Sequence, residues 1–323
     1  MNQSVTIDIK TTAELLRSKD NFLILMHRNP DGDTIGCAYA LSAALNSYGK
    51  NAKVACCDEI PAMYSYLVEP YLLSLKDFEA TTFLSVDAAS VSQLGDFSQY
   101  CESIDISIDH HSSNTLYAEY NLVDDSYASC SEIIYEVIKA LGVSLDIYIA
   151  SSIYTGISTD TGCFKYRNTS ANSHIVTAAL IEVGIDIGFL NRVLFESKTK
   201  EFLELQRLAL ESLRYYFNDK IAVTTVTRRM FEASGALDED MTNISPIAKA
   251  IAGVEVGLTF RETQKGTIKC SVRSSPLVDA SSVCRLFGGG GHHGSAAFEC
   301  SGDMTDIQTK VISTVAEFIE AAQ

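Results

Sequence analysis

Short apolar runs alternate with longer segments of helical periodicity through the first half of the chain. The runs FLILM, AKVACC, FLSVD and IDISID have the length and the aliphatic content of buried strands. Apolar spacing of the helical kind predicts helices at residues 34–48, 131–141, 145–157 and 172–183. This alternation is typical of a largely parallel sheet with helices on both faces, so the first half predicts an α/β domain.

The pattern changes in the second half of the chain. Residues 198–216 combine helical apolar spacing with charged positions and predict a helix that joins two domains. The later runs KIAVTTVT, VEVGLTF and GTIKCSVRSS predict strands, and residues 279–287 and 305–321 predict helices. We therefore expect an N-terminal domain at residues 1–190, a helical linker at residues 191–218 and a smaller α/β domain at residues 219–323.

Composition indicates a globular protein without membrane association. Of 323 residues, 46% are hydrophobic and 20% are charged, and no apolar stretch approaches the ~18 residues of a membrane helix. The polar start MNQSVTIDIK lacks the regions of a signal peptide, so we expect a cytoplasmic protein. The nine cysteines form no C-x-x-C pair, which argues against both a disulfide framework and a zinc ribbon.

The net charge excludes one class of ligand and leaves another. A formal charge of −16 argues against coating long nucleic acid, because that binding needs many Lys and Arg contacts to phosphate. The net charge still permits short anionic substrates, provided that metals or a basic pocket offset the negative charge where the substrate binds. Residues 245–290 contain six Lys and Arg against three acidic residues, which predicts such a basic region.

Acidic and histidine side chains follow the ends of several predicted strands and one predicted helix. The residues concerned are His27, Asp31, Asp33, Asp87, Asp109, His110, His111 and Asp160. Carboxyl ends of neighbouring parallel strands meet at one edge, and a mixed Asp and His set suits Mn, Mg, Co or Fe. Taken singly, each has a plain alternative: Asp33 as a helix cap, and Asp87 and Asp160 as turn or loop residues. Their joint occurrence favours a metal site.

A glycine run precedes two adjacent histidines in the second half. Gly289 to Gly294 form a literal G-x-G-x-x-G, but a helix-like segment precedes it where a dinucleotide fold needs a strand. Glycines here would let backbone N–H groups approach an anion, with His292 and His293 as further donors. A plain glycine-rich turn is the alternative.

The combined motifs are similar to those of one known family. H-x-N-P-D-G-D, a strand-end Asp, D-H-H and T-D-T-G-x-F occur in this order in the DHH phosphoesterase superfamily, and G-G-G-G-H resembles its DHHA1 domain. The two-domain length resembles the bifunctional oligoribonuclease and pAp phosphatase group, the nanoRNases. This resemblance implies a parallel-sheet DHH domain joined by a helical linker to a smaller α/β DHHA1 domain.

The same resemblance implies a two-metal site and assigns residue roles. Two Mn²⁺ ions, with Mg²⁺ or Co²⁺ as alternatives, would share a hydroxide that attacks phosphorus. The first metal would be held by His27, Asp31 and Asp87, and the second by Asp33, His110 and Asp160, with Asp87 bridging. His111 would contact the reacting phosphate, and Asp109 would orient a histidine.

The resemblance also implies a substrate site in the second domain. We expect the terminal phosphate or base of a short substrate to be held across a cleft from the metals by Arg273, Gly290, Gly291, His292 and His293. Arg273 ends a predicted strand in a pattern that resembles the family's substrate-binding arginine.

The expected reaction is hydrolysis of short oligoribonucleotides or linear dinucleotides to mononucleotides, together with dephosphorylation of 3′-phosphoadenosine 5′-phosphate (pAp). A cyclic-dinucleotide phosphodiesterase, an inorganic pyrophosphatase and a non-catalytic nucleotide sensor are the alternatives. The glycine-histidine motif argues against the pyrophosphatase, and the complete set of candidate ligands argues against the sensor. The sequence does not determine the oligomeric state, and a homodimer is one of the alternatives.

Overall fold

The computed structural model describes residues 4–68 and 78–322 and divides the chain into two compact units, Met1–Ser197 and Lys198–Gln323. Each unit is built on its own six-stranded sheet with helices packed against it, so the predicted mixed α/β class is confirmed. Within the described part, no helix is long and apolar enough to cross a membrane.

The first sheet is entirely parallel. Its strands are β1 (Val5–Thr6), β2 (Phe22–Leu25), β3 (Ala52–Ala55), β4 (Thr82–Val86), β5 (Ile104–Asp109) and β6 (Tyr120–Val123), in the order β1-β6-β5-β4-β2-β3. The chain runs from β2 to β3 at one edge and then crosses to β4 on the other side of β2. Strand order therefore reverses between β2 and β4, the position where α/β sheets open a crevice at their carboxyl ends.

Helices and a 3₁₀ segment cover the two faces of this sheet. The helices are α1 (Ile9–Ser18), α2 (Gly32–Ser47), α3 (Ser65–Val68), α4 (Cys130–Leu141), α5 (Ile147–Asp160), α6 (Ala171–Val183) and α7 (Ile187–Asn191). Alternate side chains of β2 point to opposite faces: Phe22 and Ile24 pack in the main helical core, whereas Leu23 and Leu25 pack with Leu94. Leu94 belongs to the 3₁₀ segment Val91–Ser103, which covers this second face where α-helices were predicted.

The second unit has a mixed sheet. Its strands are β7 (Arg214–Tyr216), β8 (Ile221–Val226), β9 (Val256–Glu262), β10 (Ile268–Ser274), β11 (Gly290–His292) and β12 (Ser295–Cys300), in the order β11-β12-β10-β9-β8-β7. Only β8 and β9 pair in parallel. Its helices are α8 (Lys200–Glu211), α9 (Arg228–Ser234), α10 (Met241–Ile244), α11 (Ala280–Arg285) and α12 (Met304–Ala321).

Two predicted segments of the second half differ from the structure. The helix predicted at residues 198–216 ends at Glu211, because β7 pairs with β8 through a hairpin whose residues Phe217, Asn218 and Asp219 all have positive φ. Asn and Asp tolerate this left-handed conformation, so the turn replaces the last helical turns. Part of the glycine run, for which a plain turn was the alternative, forms the edge strand β11.

Candidate metal centre

The carboxyl ends of β2, β4 and β5 bring together the predicted residues of the first unit. His27 follows β2, Asp87 follows β4, and His110 and His111 follow β5. Three groups of side chains each have ligand atoms within 4.8 Å of one another: His27, Asp31 and Asp87; Asp33, His110 and Asp160; and Asp87, His110 and His111. The first two groups contain the same residues as the two predicted ligand sets, and Asp87 lies between them.

Both candidate imidazole ligands are oriented through Nδ1. The Nδ1 of His27 lies 2.8 Å from the carbonyl oxygen of Arg28, and that of His110 lies 3.4 Å from the carbonyl oxygen of Tyr127. In the neutral form of each ring, donation from Nδ1–H to these carbonyls would direct the lone pair of Nε2 toward a metal. The Nε2 of His27 faces the Asp87 carboxylate at 3.7 Å, and that of His110 faces it at 3.6 Å.

Two aspartates at the start of α2 have different partners. Asp31 is the N-cap of α2, and its Oδ1 accepts from the backbone N–H groups of Asp33 and Thr34. The sequence left helix capping as the alternative role of Asp33, but Asp31 is the cap. The Asp33 side chain is 2% exposed and reaches the start of α4. There it accepts from the N–H of Cys130 at 2.7 Å and of Ser131 at 2.9 Å. These bonds fix the Asp33 carboxylate and leave it facing His110.

Asp87 has features that a purely structural residue would rarely combine. Its side chain is 3% exposed, its φ is +55°, and its Oδ1 has no hydrogen-bond partner among the described residues. Burial raises the pKa of Asp87 well above its ordinary value, and the nearby Asp33 carboxylate raises it further. A buried carboxylate oxygen without a partner is costly, and a bound cation would satisfy it. The oxygen and imidazole donors around Asp87 therefore fit divalent metals.

The pKa values of Asp160 and His27 are also raised by their surroundings in this cluster. Burial raises the pKa of Asp160 to about 8, with further contributions from the Asp33 and Asp31 carboxylates. For His27, burial lowers the pKa, but hydrogen bonds to Asp31 and Asp87 outweigh it and raise the pKa to about 11. Without a cation, protons therefore balance the negative charge.

Metal uptake is accordingly expected to release protons. At neutral pH, His27 is protonated and Asp160 is largely protonated, and both must lose the proton to bind a cation. We expect Mn²⁺ affinity to rise with pH across the neutral range, with about two protons released from these two residues. Calorimetric titration in two buffers of different ionisation enthalpy measures this release. Equal heats in both buffers would contradict it.

Asp109 holds His111 instead of pointing toward the other ligands. It is fully buried and accepts from His111 Nδ1 at 2.7 Å and from the Asn114 amide at 2.7 Å. Burial alone would raise the pKa of Asp109, but the hydrogen bonds from His111 and Asn114 and the charge of His111 together outweigh burial and lower the pKa. The same bond raises the pKa of His111. The pair therefore holds the His111 ring in a fixed orientation, and the Asp109 carboxylate favours its protonated form.

Close helix contacts around the site were not predicted from the sequence. A Cβ added to Gly156 of α5 would lie 2.5 Å from Asp33 Oδ1 and 1.9 Å from Ser131 Oγ. A Cβ added to Gly32 would lie 2.3 Å from Thr159 Oγ1, next to Asp160. Only glycine permits α2 and α5 to approach this closely, and no local sequence signal announces such a contact.

Only some of the predicted substrate-binding residues of the second unit line one cavity. Arg273, Gly290 and Gly291 line a cavity of about 400 Å³. Gly291 has φ +145°, and a Cβ there would lie 2.6 Å from the Ala296 Cα, so this position requires glycine. His292 and His293 are exposed, and the His293 carbonyl accepts from the N–H of Ala280. Neither histidine is among the residues that line this cavity.

Fold and site together define an α/β protein with a candidate dinuclear metal centre at the switch point of a parallel sheet. Residues 21–157 match the model of the DHH family, N-terminal domain. A relative from Thermus thermophilus, named bifunctional oligoribonuclease and PAP phosphatase NrnA, is 28% identical over 97% of this chain and 95% of its own length.

Solved structures share the fold. An exopolyphosphatase-related protein from Bacteroides fragilis has a TM-score of 0.88 at 22% identity, covering 97% of both chains. An exonuclease RecJ bound to manganese has a TM-score of 0.57 at 13% identity, covering 96% of this chain and 94% of its own.

Proposed function

We propose that this chain is a manganese-dependent phosphoesterase that hydrolyses short oligoribonucleotides and linear dinucleotides to mononucleotides and removes the 3′-phosphate of pAp. Its broader class is a hydrolase of phosphate esters. The observation that carries the proposal is the buried Asp87 carboxylate, which lies beside two His and Asp sets and has one oxygen without a hydrogen-bond partner within residues 4–68 and 78–322. The name of the Thermus thermophilus relative supports the substrate class.

Two metal positions follow from the two sets. His27, Asp31 and Asp87 would hold the first cation, and Asp33, His110 and Asp160 the second, with Asp87 contributing to both. Bound cations would lower the pKa of water and withdraw charge from the phosphoryl oxygens. The chain itself orients these ligands: carbonyls fix the two imidazoles, and the N-terminus of α4 fixes Asp33.

His111 and Asp109 would act on the substrate side. With Nδ1 bound to Asp109, which favours the protonated ring, His111 would donate from Nε2 to a phosphoryl oxygen. That donation becomes stronger as negative charge grows in the transition state, so it lowers the barrier more than it strengthens ground-state binding. Asp109 is a positioning residue, because it acts through His111.

Substrate recognition would use the second unit. Arg273 and the backbone of Gly290 and Gly291 line a cavity in which a phosphate or base can be held, and glycine lets the backbone approach an anion closely. His292 and His293, exposed beside this strand, would add donors.

The test is turnover by the purified protein with Mn²⁺ on a panel of substrates. The panel contains pyrophosphate, pAp, linear and cyclic dinucleotides, and RNA of two to twenty-four residues. We expect mononucleotide release from the shortest RNAs and dephosphorylation of pAp. Cleavage of pyrophosphate alone, or of cyclic dinucleotides alone, would overturn the substrate assignment. Binding of nucleotides without turnover would indicate the nucleotide sensor instead.

A further inference from the structure

The segment that follows the candidate ligand Asp160 carries an exposed aromatic ring between two cations. We call residues 161–168 the strap. Its residues Lys165, Tyr166 and Arg167 are all exposed, Tyr166 to 62%. Neither Lys165 nor Arg167 forms an ion pair with any described residue, although the chain has a net charge of −16. Cations that stay unpaired in so acidic a chain are available to an anionic ligand.

Hydrogen bonds tie the strap to the candidate metal centre. The side-chain amide of Asn168 donates to the carbonyl oxygens of Asp160 and Ala128, each at 3.1 Å. The backbone N–H of Tyr166 donates to the carbonyl oxygen of Thr161 at 3.0 Å. The position of the strap is therefore fixed relative to Asp160, one of the candidate ligands.

The backbone of the strap has an unfavourable conformation. Gly162, Cys163 and Phe164 have φ values of +57°, +58° and +62°. This left-handed region is uncommon for residues other than glycine, and it persists only where the surrounding structure enforces it. Phe164 provides that constraint, because its ring packs against the core and stacks on His174 with the centroids 5.1 Å apart. The buried Phe164 thus anchors the strap, and the exposed Tyr166 follows two residues later.

Tyr166 has one face of its ring packed and the other open. A Cβ added to Gly162 would lie 2.4–2.6 Å from the Cζ, Cε1 and Cε2 atoms of the ring. Such similar distances to three ring atoms place Gly162 against one face, and the exposure of Tyr166 leaves the opposite face to solvent. Since consecutive Cα atoms are ~3.8 Å apart, the ring lies at most about 15 Å from the Asp160 carboxylate. This distance is comparable to the length of a dinucleotide.

We propose that the strap binds the nucleotide that adjoins the terminal one in a short oligoribonucleotide, with the base stacked on Tyr166 and the following phosphate held by Lys165 and Arg167. Bases of single-stranded RNA stack on aromatic side chains, and nearby cations bind the phosphates. A molecule of pAp has a single nucleoside and therefore no group for this site. The inference rests on the proposed function, which it deepens by assigning to the first unit a site that distinguishes oligoribonucleotides from pAp.

Steady-state kinetics of the full-length protein with Mn²⁺ test the role of the ring. Tyr166→Ala is expected to raise KM for an RNA dinucleotide about tenfold with kcat within about twofold, because stacking stabilises the ground state and the transition state equally. Both constants for pAp should stay within about twofold. Tyr166→Phe should restore the wild-type KM, since the Tyr166 hydroxyl makes no hydrogen bond to the described residues. Tyr48→Ala is the matched control, because Tyr48 is 42% exposed and ends α2 at the opposite edge of the sheet.

The role of the cations requires a substrate with one more phosphate. Replacing Lys165 and Arg167 together by glutamine is expected to raise KM for an RNA trinucleotide about fivefold and to leave the dinucleotide within about twofold. Lys50→Gln combined with Lys139→Gln removes two charges at the opposite edge of the sheet and serves as the control. A trinucleotide KM that changes no more than in this control would rule out a phosphate at the two cations.

For the ring, an equal rise of KM for the dinucleotide and pAp, or no rise beyond that of Tyr48→Ala, would overturn the proposal. A binding measurement keeps this test independent of turnover. The protein, freed of metal by a chelator, is titrated calorimetrically with the RNA dinucleotide and with AMP. Weaker binding of the dinucleotide alone by Tyr166→Ala supports the strap, and equal affinity of variant and wild type contradicts it. Failure of the phosphoesterase proposal would appear separately, as absence of turnover by the wild type.

Discussion

Replacing Asp87 by asparagine is expected to lower kcat on the order of a thousandfold or more while leaving the fold intact. The two oxygens of Asp87 face different histidines: Oδ2 lies 3.7 Å from His27 Nε2, and Oδ1 lies 3.6 Å from His110 Nε2. An amide has only one oxygen and cannot serve both metal positions. Asparagine also tolerates the φ of +55° at this residue, whereas alanine would add backbone strain.

The stability of the Asp87→Asn variant separates a ligand from a structural residue. Because burial raises the pKa of Asp87, the unfolded chain loses this proton more readily than the fold does, which lowers the stability of the metal-free fold at every pH above the ordinary pKa of about 4. The neutral amide avoids this cost at neutral pH. We therefore expect the metal-free variant to melt at or above the temperature of the metal-free wild type. Added Mn²⁺ should raise the melting temperature of the wild type only.

Melting curves with chelator and with Mn²⁺, together with turnover on an RNA dinucleotide, check this expectation. Asp96→Asn is the matched control, since Asp96 is exposed and has no contact with the cluster. Near-normal turnover by a folded Asp87→Asn protein would rule out the bridging assignment.

Replacing Gly36 by alanine is expected to lower the free energy of unfolding of the first unit by about 3 kcal/mol. A Cβ at Gly36 would lie 2.4 Å from the Ser152 carbonyl oxygen and 3.0 Å from the Gly156 backbone nitrogen. Both obstacles are backbone atoms of α5, so no side chain can rotate away to relieve the overlap. The helices must separate, which leaves poorly packed space in the core around them.

Urea unfolding followed by circular dichroism measures this loss. Gly188→Ala is the matched control, because its added Cβ meets only Asp186 Oδ1, at 3.4 Å, and alanine favours the helix α7. The control is expected to be neutral or slightly more stable. A Gly36→Ala protein as stable as wild type would show that α2 and α5 can separate without cost.

The strand ends were predictable because hydrophobic runs and the residues that follow them are local features. FLILM ending at His27 and FLSVD ending at Asp87 place both residues at the carboxyl edge of a parallel sheet, whichever order the strands take. The short strand Val5–Thr6 went unpredicted because two residues cannot show a period, and Tyr120–Val123 went unpredicted because Asn121 interrupts its apolar run. The hairpin at Phe217 to Asp219 carried a turn signal that the helical pattern of the preceding residues obscured.

The sequence by itself determined the fold class, the two-unit organisation and the residue types at the candidate metal centre, since each depends on periodicity, spacing and side-chain chemistry. Only the tertiary structure decided which partner each side chain has. Asp33 meets the start of α4, 97 residues away in sequence, and Asp109 turns toward His111 and Asn114. It also decided that Arg261 and Lys269 lie opposite each other on the paired strands β9 and β10. These contacts depend on strand order and register, which arise from packing of the whole core and leave no local trace in the sequence.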